Sequence, residues 1–544
     1  MPPPIAPRRL WLWALLIPVA YAPSYLLGTR PGPVAALIAL AAIALAAAAL
    51  LALERGQVLD RLAARLDRAA PLLLTLAVAA YVGLAVARAH ARLAAFADLN
   101  QLGLFSQSFW TLLHGHPFAN THETLDGSLG SHWAIHFSPT LLVIAPVYVM
   151  WRDPIVLMAA QALALGLVPV PVYHLLVPRV GRAAALVLAL AVLAIPNILW
   201  AGPRDFRDAS FLPALLLATL WALDRRRPGM FLLFGVAALG VREEIGLAFV
   251  VLGVYALLAG HRPRVALGIA ALGLAWFAVV VGVVMPRFWS PGLWIDPKRF
   301  FVDVLGQWGA TPVAAVRHMV THPADVARAL ANGTTARYLY TLLRPLLFLP
   351  PFGDAVAIVA LPGLGLNLLS RLPFMRGADQ AYSMVPMTFL AAATVMTAAR
   401  VAQSAPAPRR AGVALAAAII VFAGVVPSLA VTYRQSEPPS PPAAAAAALV
   451  RAIPAGAPVY APVTLYPALH AREDFGCWWS VLQLGRDPRF RARYAWIAIW
   501  PPGDPSVHDA RGASPDQPLA DSLALDPRFV ARTEFAPFIV YQRR

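Results

Sequence analysis

Apolar runs of about twenty residues, separated by short basic or polar islands, fill the chain as far as residue 432. Runs of that length suit helices crossing a hydrocarbon core of about 30 Å. The pattern predicts spans at 10–28, 33–53, 70–88, 155–177, 183–201, 209–224, 229–241, 245–260, 265–285, 337–350, 353–371, 383–402 and 411–432, about thirteen in all. Together they define residues 1–433 as an all-α polytopic membrane bundle, with larger loops at 89–138 and 286–336.

Between the spans the period changes. In "LNQLGLFSQSFWTLL" (99–113), Leu102, Phe105, Phe109, Leu112 and Leu113 share one helical face, with Gln107, Ser108 and Thr111 opposite. That pattern predicts a helix lying in the membrane surface. The stretch 139–151, "PTLLVIAPVYVMW", is short enough to be interfacial or re-entrant. A second surface-lying stretch is expected in 286–336, where Trp289, Trp294 and Trp308 suit an aromatic belt. After a Pro/Ala-rich linker at 434–447, residues 448–544 read as a small α/β domain, with strands in "VYAPV", "YAWIAIW" and "FIVYQ".

Composition agrees with a membrane protein: 59% of the 544 residues are hydrophobic and 13% charged, against roughly a quarter charged in soluble domains. The formal charge is +17, carried almost wholly by Arg, with Lys298 the single lysine. The basic residues cluster at the ends of apolar runs, as the positive-inside rule predicts, and nucleic-acid binding is not expected. Placing Arg8–Arg9, the stretch 54–68, Arg179 with Arg182, 225–227, 262–264 and Arg409–Arg410 inside puts the N-terminus in the cytoplasm. The C-terminal domain is then outside. The N-terminal stretch also has signal-peptide features, but its removal would upset this topology, so it is read as an uncleaved span. Cys477 is the only cysteine, which excludes an intramolecular disulfide and a cysteine-based metal site.

This topology gathers chemistry on the outer face. The loop 89–138 holds Asp98, His114, His116, His122, Glu123, Asp126, His132 and His136. "PRDFRD" (203–208) brings Arg204, Asp205, Arg207 and Asp208, and "VREE" (241–244) brings Arg242, Glu243 and Glu244 to a turn between two short spans. Ionisable groups in such places are costly and are functional candidates. Guanidinium groups hold phosphate oxygens bidentately, and a carboxylate can take the proton of an acceptor hydroxyl. The plain alternatives are interfacial ion pairs in "RDFRD", charges that merely pin the turn, and Asp98 as the cap of the helix starting near Leu99. His132 and His136 are four apart, a spacing that suits two metal ligands on a helix, but without an HExxH pattern a structural or substrate hydrogen bond is the better reading. The residues do not decide whether a divalent metal takes part. The stretch "RLPFMRGADQAYS" (371–383) faces outward against the charge rule, as if Arg371 and Arg376 were kept there for an anionic ligand.

The stretches "LGLFSQSFWTLLHGHPF", "HFSPTLLVIAPVY", "RDFRDASFLPALLLATLWAL" and "VREEIGLAFVVLGVYALL", in that order, resemble the bacterial and archaeal membrane proteins called domain of unknown function 2079. The resemblance runs from about residue 90 to 433 and extends toward the C-terminal domain. Gly103, Phe105 and Gln107 match the family's first motif, while Gln101 and Ser106 stand where acids are usual. Asp205-Phe206-Arg207-Asp208-Ala209 stands at its Asp-Phe-His-Pro-Glu pattern, and Arg242-Glu243-Glu244 at its Lys-Glu-Asp. That family is similar in turn to the C-type membrane glycosyltransferases, which use polyprenyl-phosphate sugars at the external face. The resemblance implies a glycosyltransferase-C-like fold in the bacterial cytoplasmic membrane. It also implies a lipid-linked sugar donor as co-substrate, an envelope acceptor and membrane lipids as partners. Asp98 would be general base or metal ligand, and Asp205 and Asp208 further catalytic carboxylates. Arg204, Arg207 and Arg242 would hold the phosphate, with Glu243, Glu244, Gln107, His132 and His136 around the substrate and Arg376 and Tyr382 along the carrier's path. The competing readings are a transporter or flippase of a lipid-linked or anionic solute, and a noncatalytic envelope scaffold.

Overall fold

The computed structural model is mostly helical and describes residues 5–26, 33–55, 57–294, 302, 304–378, 380–432, 440–476, 491–500 and 516–544. The main helices overlap the apolar runs, with several bounds displaced from those expected. They are α1 (Ile5–Leu26), α2 (Pro33–Glu54), α3 (Val58–Ala94), α4 (Asn100–Leu112), α5 (Ile155–Gly166), α6 (Pro169–Leu193) and α7 (Leu212–Asp224). Next come α8 (Pro228–Leu239), α9 (Ile245–Leu258), α10 (Pro263–Val279), α11 (Gly333–Leu343), α12 (Leu361–Leu369), α13 (Met384–Gln403) and α14 (Arg410–Thr432). Among the described residues, six helical stretches are long and apolar enough to cross a membrane: Val34–Glu54, Val58–Ala94, Ile155–Leu193, Pro263–Phe288, Ala381–Gln403 and Ala407–Leu429. Length alone therefore does not reach thirteen spans. With 12 and 14 residues, α8 and α9 fall short of the ~20 a full crossing takes. Leu72, Leu76 and Leu84 on α3 and Leu267 and Leu274 on α10 are exposed, as lipid-facing positions should be, whereas α13 is buried nearly all round.

The basic stretch 54–68, expected as a loop, is largely the first turns of α3, which runs unbroken for 37 residues. At 1.5 Å per residue it is about 55 Å long, well beyond one bilayer core. Its early acids bind other helices: Asp60 accepts from Gly412 N (2.7 Å) at the head of α14, and Asp67 accepts from Ala183 N (2.6 Å) just past the kink at Gly181. Carboxylates at those positions meet the positive end of a helix dipole.

The polar face of α4 does not meet water. Gln107, Ser108 and Thr111 are as buried as Leu102, Phe105 and Phe109 on the other face. Gln107 donates to Arg472 O (2.8 Å) and accepts from Thr121 N (2.9 Å) and the Tyr466 hydroxyl. Thr111 bonds Ala119 O (2.6 Å). Residues far along the chain cover the side that the period alone assigns to solvent.

Of those covering residues, Tyr466 and Arg472 lie between two strands of a mixed sheet in the C-terminal hundred residues. The strands are β3 (Val459–Tyr460), β4 (Phe475–Gly476), β5 (Trp496–Ile499), β6 (Phe529–Arg532) and β7 (Ile539–Arg543), after a small ribbon of β1 (Ala119–Asn120) and β2 (Gly130–Ser131) in the first loop. Among the described residues their order is β4-β3-β5-β7-β6. β3 runs parallel to β4 and β5, while β7 is antiparallel to β5 and β6. The three strand expectations coincide with β3, β5 and β7. One apolar core joins this sheet to α4: Phe105, Phe109 and Tyr148 cluster with Tyr466, Phe475 and Trp496. The linker expected at 434–447 lies partly outside the described residues, as do Lys298 and Cys477.

In the second large loop, the helix Pro312–Thr321 exposes Val313, Val316 and Val320 on one face, the pattern of a surface-lying helix. Trp289 and Trp294 are exposed there too. Trp308 is not part of that belt. It is buried and its Nε1 donates to Leu369 O at 2.8 Å.

Candidate functional site

The turn between α8 and α9 is the most highly charged buried place in this part of the chain. Gly240 follows α8, and a Cβ there would lie 2.5 Å from Thr140 Oγ1, so only glycine lets the end of the first loop come so close. Thr140 N donates to Gly240 O (2.9 Å) and its hydroxyl to Ala237 O (2.7 Å). One turn earlier, His136 Nδ1 lies 2.9 Å from Glu243 Oε1, and Phe137 N donates to Glu243 Oε2 (3.2 Å). The loop is thus fastened on the turn, and Arg242 and Glu243 are buried rather than hydrated. The turn expected between two short spans is present, and its charges are buried.

Arg242 is held from two sides. Its Nε donates to Asp208 Oδ2 (2.8 Å) and its Nη1 to Glu244 Oε1 (3.3 Å), while the guanidinium sits over the Tyr382 ring at 5.4 Å. Beside it lies a second acid–imidazole pair. His132 Nδ1 is 2.9 Å from Glu123 Oε1, Glu123 Oε2 accepts from Asn120 Nδ2 (2.7 Å), and the His132 and His136 rings are 5.9 Å apart.

Burial works against every charge here, and neighbours decide the outcome. Burial pushes the Asp208 carboxyl up, but the Arg242 charge outweighs it and holds the group at about 2. For Arg242, burial favours the neutral form, yet Asp208 and Glu244 keep it firmly charged. Burial and Arg242 both pull His136 down, and the Glu243 carboxylate more than reverses this, so His136 is raised and Glu243 correspondingly lowered against its own burial. Glu244 is raised, by burial first and by adjacent Glu243 second.

Next to the cluster is a cavity of about 190 Å³ between α9, α10, α12 and α13. Its wall is mostly aliphatic, with Ala248, Val281, Leu366 and Val385 among the lining residues. At its polar end it meets His136, Glu243, Glu244, Tyr382 and Asn367. Val281 belongs to a π-helical turn, Val280–Val284, that continues α10. Such turns often mark functional sites.

The structure therefore brings together Asp208, Arg242, Glu243, Glu244, His132, His136 and Tyr382 of the sequence candidates. The remainder are elsewhere. Asp205 is a helix cap: its carboxylate accepts from Gln101 N (3.1 Å), Leu102 N (2.9 Å) and Phe206 N (2.8 Å). It takes the position expected of Asp98 at the head of α4, where the N-cap residue, Leu99, supplies no side-chain bond. Asp98 is not among the cavity-lining residues, and its carbonyl accepts from Arg92 Nη2 (3.3 Å). Arg204 O accepts from Arg92 Nε (3.1 Å), and Arg207 Nη1 reaches Gln380 Oε1 (3.4 Å). Gln107 braces the C-terminal sheet. Arg376 adjoins the lining residue Met375, and its buried Nε has no hydrogen-bond partner among the described residues. Asn367 escaped the sequence reading. It donates to the Tyr338 hydroxyl (2.7 Å) and Tyr382 O (3.1 Å), and its signal was a lone amide in "LPGLGLNLL".

Long apolar helices around a buried acid–imidazole cluster and an aliphatic cavity define an integral membrane protein with a polar site at the end of an apolar chamber. The chain belongs to the family described as "Predicted membrane protein (DUF2079)", which matches residues 90–519 and so continues past the helical bundle into the C-terminal sheet. No curated protein matches it. Among solved structures, it is similar to the crystal structure of ArnT from Cupriavidus metallidurans bound to undecaprenyl phosphate. That similarity covers 85% of this chain and 97% of the other, with a TM-score of 0.45 and 13% identity.

Proposed function

We propose that the protein is a glycosyltransferase of the bacterial cytoplasmic membrane that takes a sugar from a polyprenyl-phosphate carrier and passes it to an envelope acceptor at the external face. In this reading the chain has about thirteen spans, N-terminus inside, and residues 448–544 form an extracytoplasmic α/β domain seated on α4. The observation that carries it is the shape and chemistry of the cavity, aliphatic along its wall and ionised at one end. The aliphatic part suits the isoprene units next to the head, and the polar part the sugar-phosphate head itself. In the transfer, the bond from the anomeric carbon to the phosphate oxygen breaks and a bond to the acceptor oxygen forms. The acceptor's proton goes to a carboxylate, and polyprenyl phosphate leaves. Because Asp98 does not line the cavity, this reading gives the proton to Glu243 or Glu244, which do. Arg242, bound to Asp208 and Glu244, acts through the field it sets rather than as a free clamp.

The test is saturable binding of polyprenyl phosphate to the purified protein in nanodiscs. Leu366→Trp fills the cavity without touching the ion pairs and is expected to weaken binding about tenfold or more, roughly 1.4 kcal/mol. Binding indifferent to this change in a well-folded variant would remove the lipid carrier from the site. Binding without transfer across a panel of lipid-linked sugars would favour the transporter reading.

A further inference from the structure

We infer that His136, Glu243 and Glu244 bind a divalent cation at the polar end of the cavity. Each side chain offers a ligand atom, and the three atoms lie within 4.8 Å of one another. The 2.9 Å separation of His136 Nδ1 and Glu243 Oε1 is also the edge of a coordination polyhedron with bonds of about 2.1 Å. One geometry therefore serves a protonated pair without metal and a ligand pair with it.

Charge and orphaned atoms favour the ion. Asp208, Glu123, Glu243 and Glu244 lie close together; Arg242 bonds Asp208 and Glu244, while Glu123 pairs with His132 and Glu243 with His136. One guanidinium is thus shared by two carboxylates, and the imidazoles offset the other two only while protonated, so buried charge goes uncompensated once they are neutral, which is costly. Glu244 Oε1 is used by Arg242, but Glu244 Oε2 is buried with no hydrogen-bond partner among the described residues. His132 Nε2 is likewise buried and unpartnered, on a ring next to His136. A divalent ion supplies the missing positive charge and a partner for the free Glu244 oxygen. One imidazole with two carboxylates suits Mn²⁺ or Zn²⁺, leaving coordination positions for ligands from the cavity. Resting on the carrier reading above, the ion would give the phosphate head a positive partner among these acids, with the acceptor's proton passing to a carboxylate oxygen that the ion does not hold.

The full-length protein in detergent, stripped with EDTA and titrated with Mn²⁺ under electron paramagnetic resonance, tests this. Expected are about one tightly bound ion per chain and a ¹⁴N coupling from the imidazole in the bound spectrum. Glu244→Gln, nearly isosteric, should weaken binding about tenfold or more, while exposed Asp126→Asn should leave it unchanged. His136→Gln should abolish the ¹⁴N coupling. Absence of stoichiometric binding, or bound Mn²⁺ without ¹⁴N coupling in the wild-type protein, overturns the inference whether or not the variants fold. Polyprenyl phosphate that binds equally well after stripping, with no ion retained, also overturns it and leaves the carrier reading standing. Ion binding with no affinity for the lipid supports the site and removes the carrier.

Discussion

Arg242 shows how one residue can be found in a sequence while its circumstances cannot. Three charges between apolar runs announced it, but its partner Asp208 is 34 residues away and His136, on Glu243, is 107 away. No local pattern reports those distances. The same blindness hid the role of Asp205, whose bonds to Gln101 N and Leu102 N make it a cap for a helix a hundred residues earlier. Buried pairs of this kind are weak as net stabilisers but severe when halved. Arg242→Met is accordingly expected to cost about 3–5 kcal/mol, as is Asp208→Asn, with the double variant losing clearly less than the sum. Unfolding in mixed micelles would show the coupling, and strict additivity would contradict the pair. Two histidines give a pH signature. Burial lowers His470 and His122 from 6.5 to about 4 each, so both are neutral when folded and take up a proton on unfolding at mildly acid pH. Their contribution is complete above pH 6.5 and is lost as pH falls toward about 4, by up to roughly 3 kcal/mol apiece. Relative to wild type, His470→Gln and His122→Gln should each flatten the fall in melting temperature between those pH values. A wild-type slope in both would refute the burial.

At the scale of elements, helix order and strand position were legible because apolar periodicity is a local property. Close approach of helices was not. In α9, a Cβ on Gly246 would sit 2.5 Å from Gly273 O, and one on Gly253 would sit 2.6 Å from Ala266 O, so α9 and α10 cross backbone to backbone. Small residues at such crossings are typical of membrane helix pairs. Ala248 and Phe277, from the two helices so joined, both line the cavity. Gly246→Leu cannot be relieved by a side-chain movement, because its obstacle is backbone, and an overpacking loss of about 1–3 kcal/mol or more is expected. Gly268→Leu, on the same helix pair with no atom within 4 Å, should be neutral. Equal melting temperatures for the two variants would mean that the helices do not touch this way.

For the whole molecule, the surface helix foreseen in 99–113 turned out to be an internal beam between bundle and sheet. The period gave its two faces; only the fold could say that both are covered. Tyr466 is the principal joint, its ring stacked on Phe475 at 4.1 Å between centroids and its hydroxyl on Gln107. Tyr466→Ala should cost about 3–5 kcal/mol, as large buried aromatics do. It should also raise the protease sensitivity of the C-terminal portion, and unchanged resistance would argue that the sheet holds its place by other means.

The joint between α4 and the sheet also sets a timetable. Gln107 must reach Arg472, 365 residues later, and at bacterial or eukaryotic ribosome speeds of about 5–20 residues per second that is a wait of roughly 20–70 s. Through that interval Gln107 has only the partners of its own loop, such as Thr121 N. A nascent chain that stalls before its last hundred residues thus leaves Gln107 without Arg472 and Tyr466.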